Sequence, residues 1–202
     1  MKIKLLLFAL ALFQLTVTAQ KTNLFASENN NKWYIELTNK SINPQDVFSF
    51  NNGILIVGKA TPGYIRTKKA YKNYTLNVEW RWTKKLGNSG VLLHIQKNDT
   101  VWPVCYQVQQ RADAAGDIIC MNGFWAKECT DKVKFTVPKM QASNERALGE
   151  WNSMEVISKN GTLTVKINNL LQNKITGLTK KKGFIGFQCE GTEMEFRKLI
   201  IK

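Results

Sequence analysis

The feature that most constrains this chain is a period of two in its apolar residues, which recurs across most of its length. In the clearest run the apolar residues occupy every second position, at Tyr74, Leu76, Val78, Trp80 and Trp82. Successive side chains of a β-strand point to opposite faces, so this run predicts a strand with one buried face and one polar face.

The same alternation predicts further strands over residues 91–96, 104–109, 163–167, 184–190 and 195–201. Turn residues separate them, including Gly87-Asn88-Ser89-Gly90 and the Asn168-Asn169 pair, whose asparagines tolerate the positive φ of a tight hairpin. Helical signals are weak, and the best is a short stretch at 141–146. Many short strands with turn punctuation predict an all-β fold, a two-sheet antiparallel β-sandwich or jelly roll.

The first nineteen residues have the layout of a signal peptide. Lys2 and Lys4 precede an apolar run at 3–13, and Val17-Thr18-Ala19 forms a small-residue cleavage site. The alternative is an uncleaved anchor, but the run is shorter than the roughly 20 residues that span a bilayer. We therefore expect cleavage near Ala19-Gln20, a single domain over 20–202 without a transmembrane segment, and a periplasmic or secreted protein.

Charge and cysteine content leave two questions open. The net charge of +14 becomes +12 without Lys2 and Lys4, but the lysines are scattered apart from Lys180-Lys181-Lys182 in a predicted turn. This pattern favours a solvated surface over a nucleic-acid interface. Four cysteines, at 105, 120, 129 and 189, match no zinc spacing and are compatible with disulfides or with buried free thiols.

Polar residues on three predicted strands are candidates for a binding site. They are Glu79, Arg81, His94, Gln96, Gln107 and Gln109. If the three strands are neighbours, these side chains form one patch with the paired donors and acceptors that sugar hydroxyls require. The alternative is an ordinary half-exposed sheet face. His94, the only histidine, is either a satisfied interior residue or a proton carrier near neutral pH.

A family resemblance rests on eight motifs that occur in order from about residue 47 to the C-terminus. They are Tyr64-Ile65-Arg66-Thr67, Leu76 to Trp82, Gly87 to Val91, Trp102-Pro103, Tyr106-Gln107-Val108-Gln109, Ala115-Gly116-Asp117, Glu150-Trp151-Asn152, and Gly186 to Gly191 followed by Glu195-Phe196-Arg197. Together they resemble the 3-keto-disaccharide hydrolase family. The resemblance implies a concanavalin-like jelly roll, bacterial export, and cleavage of glycosides whose ring carries a ketone at C3. One residue departs from the family pattern, because Gln107 stands where members commonly have a glutamate.

Carried onto this chain, the resemblance implies a base, an enolate clamp and an acid. We expect His94 or Glu190 to be the base, Arg81 to be the clamp and Glu79 to be the orienter or acid. The expected substrate-binding residues are Asn88, Gln96, Gln107, Gln109, Asp117, Trp151 and Gln188. No cofactor is evident from the sequence, although a divalent cation such as Ca²⁺ could replace Arg81 as the electrophile.

The expected function is cleavage of 3-keto-glycosides by hydrolysis, which could proceed through β-elimination. A jelly roll also serves lectins, so a non-catalytic carbohydrate-binding protein is the main alternative, and a structural surface protein is the third. The expected partner is a carbohydrate and not a nucleic acid, and the sequence does not determine the oligomeric state.

Overall fold

A computed structural model describes residues 23–26, 30–97 and 100–202, so the predicted signal peptide and its cleavage site lie outside the described residues. Short 3-10 turns at Leu24–Ala26 and Asn30–Lys32 and a four-residue helix α1, Pro44–Val47, accompany the strands. The strands are β1 Trp33–Leu37, β2 Phe48–Asn51, β3 Ile54–Val57, β4 Gly63–Thr67, β5 Tyr74–Trp82, β6 Gly90–Ile95, β7 Cys105–Gln109, β8 Ile118–Met121, β9 Thr136–Val137, β10 Asn152–Lys159, β11 Thr162–Ile167, β12 Leu170–Thr176, β13 Phe184–Cys189 and β14 Met194–Ile201.

These strands form two seven-stranded sheets. Sheet I has the order β1-β4-β13-β6-β7-β8-β9, and sheet II has the order β12-β11-β10-β5-β14-β3-β2. Each pairing described between neighbouring strands is antiparallel. The predicted all-β sandwich of jelly-roll type is therefore confirmed.

The core lies between the two sheets, on the faces that the alternation predicts. Along β5 each second residue from Tyr74 to Trp82 is buried, and the same pattern runs through β10 and β11. Phe187 of sheet I packs on Phe196 of sheet II with ring centroids 4.8 Å apart. A fully buried side chain of this kind stabilises the fold by about 2–3 kcal/mol relative to an exposed one.

The hairpin at Asn168-Asn169 forms as predicted, and the segment with the strongest of the weak helical signals is not a helix. Asn168 and Asn169 join β11 to β12 with φ angles of 47° and 68°. Residues 141–146, by contrast, form no helix. The amide Nε2 of Gln172 donates to the carbonyl of Ala142 and to Oδ1 of Asn144, at 3.0 and 2.9 Å. These polar partners hold the segment against β12 in an irregular conformation.

The four cysteines are buried free thiols, which settles the alternative that the sequence left open. Burial raises the pKa of the Cys105 and Cys120 thiols. Within the described ranges, no helix is long and apolar enough to cross a membrane.

Candidate functional site

The six polar residues expected on one patch are divided between two sheets. Glu79 and Arg81 belong to β5, which lies between β10 and β14 in sheet II. Gln107 and Gln109 belong to β7, which pairs with β6 in sheet I. The expectation that β6 and β7 are neighbours is confirmed, but the expectation of a single patch that includes β5 is wrong.

On sheet II, Glu79 and Arg81 are occupied by ion pairs. Glu79 binds Arg197 at 2.5 Å and Lys198 at 2.8 Å, and Arg81 binds Glu195 at 2.7 Å. Burial alone would raise the pKa of Glu79, but the hydrogen bonds from Lys198 and Arg197 outweigh it and lower the pKa. A carboxyl held in its ionised form is unsuited to the predicted role of acid, and Arg81 is not available to clamp a ligand on sheet I.

Trp151 is also on sheet II, where it packs between two guanidinium groups. The Cζ atoms of Arg81 and Arg197 lie 4.6 and 4.0 Å from its ring centroid. Both cations are themselves ion-paired, so the ring belongs to a surface network of sheet II. The prediction that Trp151 shares a sugar site with the glutamines of sheet I is therefore wrong.

His94 lies inside the sandwich. A bulge in the pairing of β13 with β6 and a φ of +55° turn its side chain inward, out of the predicted alternation. Its ring has no exposed surface, contacts Tyr74 and Tyr106 edge-on, and donates from Nδ1 to the Lys180 carbonyl at 3.0 Å. Nε2 then accepts from Ser158 Oγ at 3.1 Å.

Burial of the His94 ring lowers its pKa to about 4, against the weaker opposing effect of the Lys180 carbonyl. The imidazole is therefore neutral at physiological pH and inaccessible to a sugar. The interpretation of His94 as a satisfied interior residue is correct, and its interpretation as a proton carrier near neutral pH is wrong.

Gln96 follows the end of β6 and serves the neighbouring turn. Its Nε2 donates to the carbonyls of His94 and Lys182, at 2.7 and 3.0 Å. This amide bridges two backbone segments at the far end of sheet I. The expectation that Gln96 joins Gln107 and Gln109 in one group is thus wrong.

Five of the predicted residues do meet on the outward face of sheet I, and we call this set the amide face. Its members are Asn88, Gln107, Gln109, Gln188 and Glu190. In β7 and β13 the glutamines alternate with inward residues that pack in the core between the sheets. Gly90 of β6 lies opposite Gln109 of β7. Because Val91 lies opposite Phe187 in the antiparallel pairing of β6 with β13, Gln188 lies beside Gly90, in the same row across the sheet as Gln109.

Within the amide face, hydrogen bonds fix the direction of two glutamine side chains. Gln109 Oε1 accepts the backbone N–H groups of Gln110 and Arg111, at 3.0 and 3.1 Å. The same oxygen accepts from Gln107 Nε2 at 3.2 Å. Since Gly90 carries no side chain, Gln107 folds over it, and an added Cβ there would lie 2.6 Å from Gln107 Cγ. The glycine therefore makes room for this amide.

On the amide face, both side-chain polar atoms of Gln188 lack a hydrogen-bond partner among the described residues, as do those of the buried Gln110 beyond the end of β7. The side chain of Gln188 is 1% exposed. A buried polar group without a partner costs about 1–3 kcal/mol. A ligand that supplies both a donor and an acceptor would satisfy this amide once the side chains that cover it move.

Glu190 is the carboxyl group of the amide face. It accepts a hydrogen bond from Nδ2 of Asn88, which lies in the segment just before β6. Burial raises its pKa above the ordinary value, and the Asn88 bond opposes this only in part. A carboxyl with a raised pKa is a stronger base once ionised, so Glu190 has the property that a general base requires.

Sequence reasoning missed Arg66, which supplies a cation to the same face. In the pairing of β4 with β13, Arg66 lies opposite Gly186, which is two residues before Gln188 and on the same face of the sheet. Its guanidinium is packed between the rings of Tyr34 and Phe184, at 4.2 and 4.1 Å, and donates to the Thr67 carbonyl at 3.2 Å. It is the arginine of the Tyr64-Ile65-Arg66-Thr67 motif, and the alternation around Ile65 could have placed it on this face.

A pocket of about 610 Å³ adjoins the amide face at Gln109. Its lining includes Arg111, Asp117, Asp131 and Lys134. Asp117 is one of the predicted binding residues, and its Oδ1 also accepts the backbone N–H of Lys139 at 2.8 Å. The volume and the mixed charges are compatible with a sugar ring entering beside Gln109.

No group of three or more His, Cys, Asp or Glu side chains converges to hold a metal ion among the described residues. The divalent cation stays a prediction.

Solved structures with similar folds include proteins that act on or bind carbohydrates. A protein of Parabacteroides distasonis provisionally assigned as a glycosyl hydrolase has a TM-score of 0.64 at 18% identity, over 88% of this chain and 96% of that one. A carbohydrate binding module from Bacillus subtilis gives 0.62 at 8% identity, over 85% and 95%. A Bacillus licheniformis β-glucanase gives 0.59 at 11% identity, over 88% and 94%. At these identities the likeness shows the jelly-roll fold alone.

The family model gives the more specific result. No curated protein matches the chain. A model described as a 3-keto-alpha-glucoside-1,2-lyase-like domain, however, matches residues 20–202, which include the whole amide face. The chain therefore belongs to the family of 3-keto-alpha-glucoside-1,2-lyase-like domains.

Proposed function

We propose that this protein cleaves glycosides whose ring carries a ketone at C3, with the amide face of sheet I as its active site. The observation that carries the proposal is the Glu190 carboxyl, whose pKa is raised by burial, beside the unpartnered amide of Gln188. The family description, which names a lyase acting between C1 and C2, supports the same chemistry.

The proposed reaction begins with removal of a proton. The C3 ketone acidifies the C2–H bond, and the ionised Glu190 takes that proton while the electron pair moves to the C3 oxygen as an enolate. The pair then returns to form the C1–C2 double bond, and the C1–O bond breaks. The proton leaves with the departing alcohol, and water can add across the double bond to complete a net hydrolysis.

The remaining residues bind and stabilise. Asn88 orients the Glu190 carboxyl, and the N–H groups of Gln188 and Gln107 donate to sugar oxygens. Arg66 is the cation one row from Gln188, and we assign to it the role of enolate clamp that Arg81 cannot fill from sheet II. A cation packed between two aromatic rings needs little reorganisation when charge develops on the substrate.

One observation favours a second function, carbohydrate binding without turnover. Three of the five residues on the amide face are glutamines, which do not exchange protons, and the family resemblance implies a glutamate at the position of Gln107. If that glutamate supplies an essential proton transfer, this chain binds keto-glycosides and does not cleave them.

The experiment uses a p-nitrophenyl 3-keto-α-glucoside and its ordinary glucoside counterpart. We expect the wild-type protein to release p-nitrophenol from the keto compound only, and Glu190→Gln to lower the rate at least a hundredfold, since general base catalysis contributes about 10²–10⁴-fold. The acid limb of the rate should lie above pH 4.5, the ordinary glutamate value, because the pKa of Glu190 is raised.

Glu79→Gln is the matched control, since it makes the same chemical change on sheet II. It should retain turnover, and a rate loss equal to that of Glu190→Gln would contradict the assignment of the site to sheet I. Binding of the keto compound by calorimetry with no release at any pH would support the binding protein instead.

We further propose that the mature protein acts in the periplasm or outside the cell. The first nineteen residues support this, and the match of the family model begins at residue 20. N-terminal sequencing of the protein from the extracytoplasmic fraction should give a start near Gln20, and an intact Met1 would contradict the proposal.

A further inference from the structure

A second cavity lies at the other end of sheet I and is surrounded by lysines. It has a volume of about 620 Å³. Five of the eleven residues that line it are lysines, and none is acidic; the lysines are Lys72, Lys97, Lys180, Lys181 and Lys182. We call this cavity the lysine pocket. The sequence suggested only a solvated turn for three of these residues.

In the part of the chain that the structure describes, no acidic side chain pairs with the lysines of the lysine pocket. All five lysines are exposed. Lysines elsewhere do pair, as Lys84 does with Glu193 at 2.7 Å and Lys166 with Glu155 at 2.9 Å. Like charges around one cavity repel each other unless an anion enters.

The turn that carries Lys180 to Lys182 is held in place from below. His94 and Gln96 donate to the backbone carbonyls of Lys180 and Lys182, at 3.0 Å each. Tyr71 and Gly183 exchange two backbone hydrogen bonds, at 2.7 and 3.1 Å. The His94 ring and the Gln96 amide thus hold the backbone of the turn in place. A loop whose lysines only contact solvent does not require such side-chain support.

The lysine pocket is continuous with the face that carries the proposed active site. Two of its lining residues, Ile95 and Phe184, are a cross-strand pair on the outward face of sheet I. Glu190 is six positions after Phe184, just beyond the end of β13, and at about 3.3 Å per residue this distance is about 20 Å. An oligosaccharide, and not a single sugar ring, spans such a distance.

We propose that the lysine pocket binds carboxylate or sulfate groups of an acidic glycan that extends along sheet I from the amide face. The proposal rests on the proposed function, which it deepens by assigning an anionic oligosaccharide as the substrate class. A nucleic acid is less well matched, because stacking of bases needs free aromatic rings. The one ring in the lining, that of Phe184, is already packed on Arg66.

The test measures binding on a Glu190→Gln background, so that failure of cleavage and failure of anion binding are distinguishable. The probes are a heparin-derived hexasaccharide, an oligogalacturonate of the same length and a neutral malto-oligosaccharide. The pocket variant is Lys180→Gln/Lys181→Gln/Lys182→Gln. The control variant, Lys85→Gln/Lys132→Gln/Lys174→Gln, removes the same charge at exposed positions that do not line the cavity.

We expect the pocket variant to weaken binding of at least one acidic oligosaccharide by about tenfold, as three exposed charge contacts would. The control variant should stay within about twofold, and the affinity for the acidic probe should fall as salt screens the lysines. Equal weakening in both variants would overturn the proposal. So would an absence of binding to both acidic probes, or tighter binding to single-stranded DNA or to phosphatidylglycerol vesicles than to either of them.

Discussion

Lowering the pH should destabilise this fold through one residue, His94. Its pKa is about 4 in the folded protein, where the ring is buried, and about 6.5 in the unfolded chain. Between these values the unfolded chain binds a proton that the folded protein excludes. Stability from His94 is therefore complete above about pH 6.5 and is lost as the pH falls towards 4.

The magnitude follows from the two pKa values. A depression from 6.5 to about 4 corresponds to about 3 kcal/mol at the acid limit, since one pKa unit is 1.36 kcal/mol. Between pH 7 and pH 5 the loss is about 2 kcal/mol. Because His94 is the only histidine, no other imidazole contributes to this change.

The assay is urea unfolding at pH 7 and pH 5, on wild-type protein without a histidine tag and on His94→Asn. Asparagine is chosen because it tolerates the positive φ at this position. The variant is expected to have a lower free energy of unfolding than the wild type at both pH values. Because the carboxyl groups titrate alike in the two proteins, their contribution cancels when the two pH dependences are compared. The quantity of interest is the difference between their pH dependences, expected to be about 2 kcal/mol. Equal pH dependences would refute the burial of a neutral His94.

Two further predictions concern Gly90 and Asn173, neither of which the sequence proposed as a site residue. Gly90→Ala places a Cβ 2.6 Å from Gln107 Cγ and displaces that amide, so we expect calorimetry to show about tenfold weaker binding of a keto-glycoside. Thermal unfolding should stay cooperative, and an unchanged affinity would contradict the role of Gln107. Asn173→Ala removes an amide that donates to the carbonyls of Gly116, Val137 and Pro138, and should lower the free energy of urea unfolding by about 3 kcal/mol; a loss below about 1 kcal/mol would show that water replaces it.

The strands were predictable because alternation is a local property. In β5 the buried and polar positions fall as the sequence pattern predicts, and in β11 the same holds up to the Asn168-Asn169 hairpin. Each of these elements has one face against the core, so its own residues determine which side is buried.

The assignment of strands to sheets was not predictable in the same way. β5 and β6 are consecutive in the chain, yet β5 pairs with β10 and β14 while β6 pairs with β7 and β13. The contacts that decide this lie between residues far apart in sequence, such as Trp80 opposite Asn152. The polar residues of β5 and β6 therefore did not form the shared patch that their order in the chain suggested.

His94 was misplaced for a different reason, a bulge. Counting by twos from Val91 puts His94 on the polar side of β6, but the register shift opposite Phe184 and Gly186 turns the side chain inward. A single irregular residue reverses the faces of all later positions. The positive φ of His94, which accompanies this change of face, is uncommon for a non-glycine residue, and the local sequence contains no signal that predicts it.

Two of the three arginines in the family motifs, Arg66 and Arg81, explain why a motif alone did not identify the site. Arg81 is beside Glu195 at 2.7 Å, and its charge is used within sheet II. Arg66 forms no ion pair among the described residues and is 5% exposed between two rings. The charge of Arg66 helps to lower the pKa of the Glu36 carboxyl on β1, so Arg66 has a carboxylate nearby but none in direct contact, and we propose that a substrate oxygen gaining negative charge supplies that contact. That is the charge an enolate develops, and the same reasoning excludes Arg81, whose charge is already neutralised in the absence of substrate.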